Sequence, residues 1–107
     1  MFARHVSFQL KPDSVSEAIQ TLEKEILPLL RKHKGFQDKI ILLAPGGREA
    51  VGISFWDRKE SAEAYERSAY AEVLKTMGKV IEGTPQVKSY EVSTSTIHKV
   101  TTRVTAS

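Results

Sequence analysis

The sequence predicts an α+β fold of four strands and two helices in the order βαββαβ, a four-stranded antiparallel sheet with both helices on one face. Three observations lead there. Several short segments alternate apolar and polar residues with a period of two, as half-buried strands do. Two longer segments between them carry apolar residues every three or four positions, the helical spacing. The turn Pro45-Gly46-Gly47-Arg48 joins the two middle strands into a hairpin.

Residues 2–10 read as the first strand. Phe2, Val6, Phe8 and Leu10 share one face with Arg4, and Ala3, His5, Ser7 and Gln9 take the other. Pro12-Asp13 ends it. From Ser14 to about His33, a stripe of Val15, Ile19, Leu22, Ile26, Leu29 and Leu30 predicts a helix. Ser14 and Glu17 have the form of a capping box, and Pro28 predicts a kink. Gly35, after Arg31, Lys32 and Lys34, is a helix stop. Residues 36–44 and 49–56 form the hairpin strands, with Val51, Ile53 and Phe55 on one face. Asp57 and Glu60 make a second capping pair. A helical pattern then runs through Ala62, Tyr65, Ala69, Val73, Met77 and Val80, with a break expected near Ser68-Ala69-Tyr70. Gly83-Thr84-Pro85 ends that helix, and the β-branched residues from 86 to 97 read as the fourth strand. Residues 1–97 thus form one domain, in which two split βαβ halves interleave in the ferredoxin-like manner. Residues 98–107 form a polar, threonine-rich extension.

Composition narrows the function classes. Apolar residues make up 40% and charged residues 27% of the 107, the balance of a soluble globular domain. There is no cysteine, so neither a disulfide framework nor a thiolate metal site is expected, and a cytoplasmic location is the default. Ile40-Ile41-Leu42-Leu43-Ala44 is far too short to span a bilayer, so no membrane partner is expected. Lysine and arginine exceed the acids by 16 to 13 but are interleaved with them, as in Asp57-Arg58-Lys59-Glu60. Nucleic-acid binding needs a basic stripe, so no nucleic-acid partner is expected.

Placing both helices on one side leaves the other sheet face bare. Ala3, Ile41, Leu43 and Trp56 are assigned to that face, and an apolar face of this kind predicts pairing with a second copy of the chain.

Three stretches carry a family resemblance. Arg4-His5-Val6-Ser7-Phe8-Gln9-Leu10-Lys11-Pro12 resembles the opening strand of the antibiotic-biosynthesis-monooxygenase-like family. The run from Glu25 to Phe36 resembles its first helix, with a proline-bearing turn and a Gly-Phe ending. Phe55-Trp56-Asp57-Arg58-Lys59-Glu60, continued to Tyr65 and Ser68-Ala69-Tyr70, resembles its third strand and second helix. The resemblance implies a dimeric α/β barrel, a homodimer with a pocket between each sheet and its helices. In some members that pocket oxidises polycyclic aromatic phenols with O₂ and no cofactor. The haem-degrading branch uses a histidine on the second helix and an asparagine on the first strand. Here Lys75 and Val6 stand there, and the chain has no asparagine, so haem degradation and a haem cofactor are not expected.

The site residues follow from that frame. Tyr65, on the core stripe, is the first choice for a pocket donor, with Tyr70 second; core packing explains both equally well. His5 has the pKa range of a base, but alternation puts it on the dimer side, where a hydrogen-bonded interface role is the competing reading. Arg4, Val6, Phe8, Phe55 and Met77 are assigned to the pocket wall. Arg4 is expected either to steady an anionic substrate or to extend its head to solvent. Trp56, Ile41 and Leu43 are assigned to the dimer interface. His33 and His98 lie far apart in sequence, and no metal site is expected. The functional readings are a cofactor-independent monooxygenase acting on a small aromatic or polyketide-like substrate, or a non-catalytic dimeric barrel that binds a small ligand or serves a stress response.

Overall fold

The computed structural model describes residues 1–97. The extension assigned to residues 98–107 lies outside them. Strand β1 (Phe2–Leu10) leads to helix α1 (Val15–Thr21), a π-helical turn (Leu22–Ile26) and helix α2 (Leu27–Arg31). Strands β2 (Phe36–Leu43) and β3 (Glu49–Trp56) form the hairpin. Helices α3 (Lys59–Ser68) and α4 (Tyr70–Met77) follow, then strand β4 (Ile81–Glu91). The sheet order is β2-β3-β1-β4 with every neighbour antiparallel. This is the ferredoxin-like arrangement that the sequence predicts.

The first helical segment divides just before Pro28, at the π turn. Pro28 sits in the first turn of α2, directly after that π turn, where the wider i→i+5 pattern tolerates a residue without an N–H. That wider turn also keeps Ala18, Leu22, Ile26 and Leu30 buried although they are spaced by four. Neither capping box forms. Ser14 Oγ donates to the Pro12 carbonyl at 3.4 Å, and the N-cap of α3 is Arg58 in an extended conformation without a side-chain cap. Asp57 is held instead by its backbone, which donates to the Gly35 carbonyl at 2.8 Å. Gly35 has φ +86°, and a Cβ there would collide with the side chains of Ser61 and Asp57.

Strand β4 begins earlier than the sequence suggests. Gly83-Thr84-Pro85 reads as a stop, yet it forms a bulge inside an edge strand, and the register with β1 shifts between Ser7 and Gln9. Gly83 takes φ +76°, and an edge strand tolerates a proline that cannot donate. The strand also ends at Glu91 rather than Ile97; beyond it, Val92 N–H donates to the Met1 carbonyl at 2.9 Å.

A second bulge reassigns the faces of β2. Phe36 pairs with Trp56, but the next registered pair is Asp38 with Phe55, so Gln37 is the extra residue. Beyond it the side-chain parity is inverted. Lys39, Ile41 and Leu43 pair with Ser54, Gly52 and Ala50 and turn toward the helices, while Ile40 and Leu42 turn outward. Ile41 and Leu43, expected on the open face, are therefore corrected to the helix face.

Trp56 is corrected too. It is fully buried in the core with Phe2, Leu10, Leu30 and Tyr65. On β3 the small residues Ala50, Gly52 and Ser54 face the helices with Trp56, and Val51, Ile53 and Phe55 face the open side. The bulkier set reads as the core face in sequence, which is why the assignment inverts. Phe55 is thereby removed from the pocket wall. The open face carries Val51, Ile53 and Phe55 at its centre, with Ile40 36%, Leu42 51% and Tyr90 51% exposed around them.

A candidate cation-lined pocket between sheet and helices

The small residues on β3 leave space beneath the helices. A cavity of about 40 Å³ lies there, within a cleft that opens to solvent. Arg4, Val6 and Phe8 of β1 line it, with Tyr65 of α3 and Tyr70 and Met77 of α4. These six were assigned to the site from sequence. Gly52 and Ser54 contribute the floor, Lys39 and Ile41 one flank, and Leu22, Ile26 and Leu30 the roof.

The break between α3 and α4 brings the two tyrosines together. Five residues apart on an unbroken helix, they would point about 140° from each other. Ala69, at φ −133° and ψ −18°, interrupts the helix between them. Their rings then lie 6.2 Å apart. Tyr65 also stacks on Trp56 at 5.1 Å and meets the edge of His33 at 5.3 Å. Trp56 Nε1 donates to Ser54 Oγ at 3.0 Å, which fixes the indole and leaves the serine proton free to donate.

Arg4 does not reach for solvent; it is 2% exposed. Its guanidinium carbon lies 4.4 Å from the Tyr70 ring centre and 5.3 Å from that of Tyr65. The nearest carboxylate, Glu66, is 3.8 Å from Nε, beyond hydrogen-bond reach, and its side chain is half exposed. Nε and Nη2 of Arg4 have no hydrogen-bond partner.

Burial sets the protonation states. It pushes the Tyr65 hydroxyl up to about 12, with the Arg4 charge pulling only partly the other way. Burial raises Tyr70 as well, again opposed by Arg4. Both phenols stay neutral near pH 7 and act as donors rather than bases. Lys39 moves the other way. Burial first, then the neighbouring Arg4 charge, lowers it to about 8. It is the cavity amine that can exchange a proton near neutrality.

His5 is absent from this cavity. It lies on the open face beside Tyr90, ring edge to ring face at 6.3 Å, with Nδ1 buried and unpartnered. Lys39, Gly52 and Ser54 were missed in the sequence. The run of small residues at alternate positions, Ala50, Gly52 and Ser54, is the signal that marks the floor, whereas Lys39 reaches the cavity only through the bulge at Gln37.

No protein-family model matches the chain, and no curated protein sequence does. Solved structures do match. One is a monooxygenase from the Streptomyces coelicolor gene ActVA-Orf6 in complex with nanaomycin D. It is 16% identical, with 92% of each chain covered and a TM-score of 0.72. Another is a variant of SnoaB, a cofactor-independent oxygenase from Streptomyces nogalater, at 9% identity and a TM-score of 0.74, covering 91% of this chain and 97% of that one. An antibiotic biosynthesis monooxygenase matches at 10% identity and a TM-score of 0.70, over 88% of this chain and all of its own. The chain has the fold of the antibiotic biosynthesis monooxygenases. At these identities the likeness concerns architecture. Among the described residues, no helix is long and apolar enough to cross a membrane.

Proposed function

We propose that this antibiotic-biosynthesis-monooxygenase-like chain is a cofactor-independent monooxygenase acting on a small aromatic or polyketide-like substrate. The observation that carries this reading is the cavity between sheet and helices. There an apolar wall surrounds Arg4, Lys39, Tyr65 and Tyr70. Such chemistry starts by removing a proton from a phenol or enol, and the resulting carbanion passes an electron to O₂. The cavity has the parts for the first step. Neutral Lys39 accepts the proton, and Arg4 with the Tyr65 and Tyr70 hydroxyls stabilises the oxyanion that forms.

The same reading includes a homodimer joined through the open sheet face, with His5 and Tyr90 inside the joint. Its support is the apolar character of that face, which a lone subunit would leave wet.

Oxygen uptake tests the catalytic reading. An oxygen electrode should record consumption with anthrone-type substrates, slowed about ten- to a hundredfold in Tyr65→Phe, which removes one donor and keeps the ring. Absence of uptake across a substrate panel sinks it. The second reading, a non-catalytic ligand-binding or stress-response barrel, is favoured by the small inner space, about 40 Å³. It predicts ligand binding without oxygen consumption.

A further inference from the structure

Arg4 and Lys39 bring two positive charges to one small cavity, and none of the side chains lining it carries a carboxylate. Glu66 approaches only Arg4 Nε, at 3.8 Å from outside the cavity, so the guanidinium is incompletely compensated. Two of its nitrogens are buried without an acceptor. An uncompensated buried cation is among the costliest features a fold can keep. Solvation by the tyrosine faces answers only part of that cost. The missing partner is an anion.

We propose that the cavity is a receptor for the oxyanion of a small aromatic monoanion, held jointly by Arg4 and Lys39. The dimensions set the pose. About 40 Å³ accommodates a charged head and a water but not a ring, so the oxyanion enters first and the aromatic body stays in the outer cleft against half-buried Tyr70. Ser54, whose hydroxyl proton is not taken up by Trp56, adds a neutral donor on the floor. The inference shares with the proposed function the premise that this cavity is a binding site, and it does not depend on oxygen chemistry.

Charge predicts a pH profile. Lys39 is faced by Arg4 from β1, Tyr65 from α3 and Tyr70 from α4, and along its outer side by Arg31 and Asp38. The tyrosines stay neutral through the neutral range, Arg4 stays charged, and Lys39 loses its proton near pH 8 in the empty cavity. A bound anion raises that point. Affinity for a carboxylate is therefore full near pH 7 and falls once Lys39 deprotonates.

The experiment is calorimetric titration of the full chain with benzoate and with its neutral isostere benzamide, at pH 7 and pH 10. Benzoate should bind at least tenfold more tightly than benzamide at pH 7, and lose about tenfold in Kd by pH 10. In Lys39→Met, benzoate should bind about tenfold more weakly at pH 7, with no further loss at pH 10. That variant removes a buried charge and keeps the stem, so it should fold. A second arm uses 4-nitrophenol, whose phenolate absorbance reports ionisation. Growth of that band at pH 6 on adding protein identifies a phenolate-type ligand; benzoate binding without it identifies a carboxylate. Equal affinity for benzoate and benzamide, or no binding of either benzoate or 4-nitrophenol, overturns the proposal. Benzoate binding together with no oxygen uptake upholds the receptor and removes the monooxygenase reading.

Discussion

Replacing Lys39 with methionine should stabilise the empty protein, an unusual direction for a change inside a site. The reason is the burial of Lys39, with the neighbouring Arg4 charge adding to it, which together lower its pKa from 10.5 to about 8. At about 1.4 kcal/mol per pH unit, keeping the protonated form inside costs up to about 3 kcal/mol. The sign follows from proton counting. Below pH 8 the folded and unfolded chains both carry the proton, and the full cost is present. Between pH 8 and 10.5 the unfolded chain holds more protons, so wild-type stability gains from Lys39 as pH rises. Above 10.5 the cost is gone. The raised Tyr65 pKa works oppositely, since that stability is lost as pH rises from 10 toward about 12. It is common to both proteins and cancels in the difference. Urea unfolding of wild type and Lys39→Met at pH 7 and pH 10.5 measures that difference. The variant should be more stable by up to about 3 kcal/mol at pH 7, with most of the gap closed at pH 10.5. A gap that does not change with pH, or a wild type that is the more stable at pH 7, refutes the argument.

Two further outcomes follow from the fold. Gly35→Ala combines a left-handed backbone with a collision against Ser61 and Asp57. It should cost roughly 2–4 kcal/mol, read as a lower urea midpoint with an unchanged slope. Leu42→Lys places a charge on the apolar open face and should convert the proposed dimer to monomers in light scattering without lowering helix content; a dimer that persists would locate the subunit contact elsewhere.

The order of elements is legible in the sequence, because each rests on local periodicity. Every member of the stripe Ala62, Tyr65, Ala69, Val73, Met77 and Val80 is buried, and the break at Ala69 falls where it was read. Strand parity and the helix stripe also put Arg4, Tyr65 and Met77 on the side where the cavity lies, whereas Tyr70, off that stripe, lines it through the break at Ala69. Parity along β2 was decided only by tertiary structure. A single unpaired residue at Gln37 inverts every later side chain, and nothing local distinguishes it from a regular strand residue. That inversion turned Ile41 into the cavity wall and Leu43, still 38% exposed, to the helix side, turned Ile40 and Leu42 outward, and delivered Lys39 to the cavity. The same physics misled the reading of β3. Apolar bulk marks the core face of a strand only where the core is filled, and here Gly52 and Ser54 face a cavity while Val51, Ile53 and Phe55 face outward. Arg4 and Lys39 share the cavity from two strands that do not adjoin, so only the folded sheet could show it.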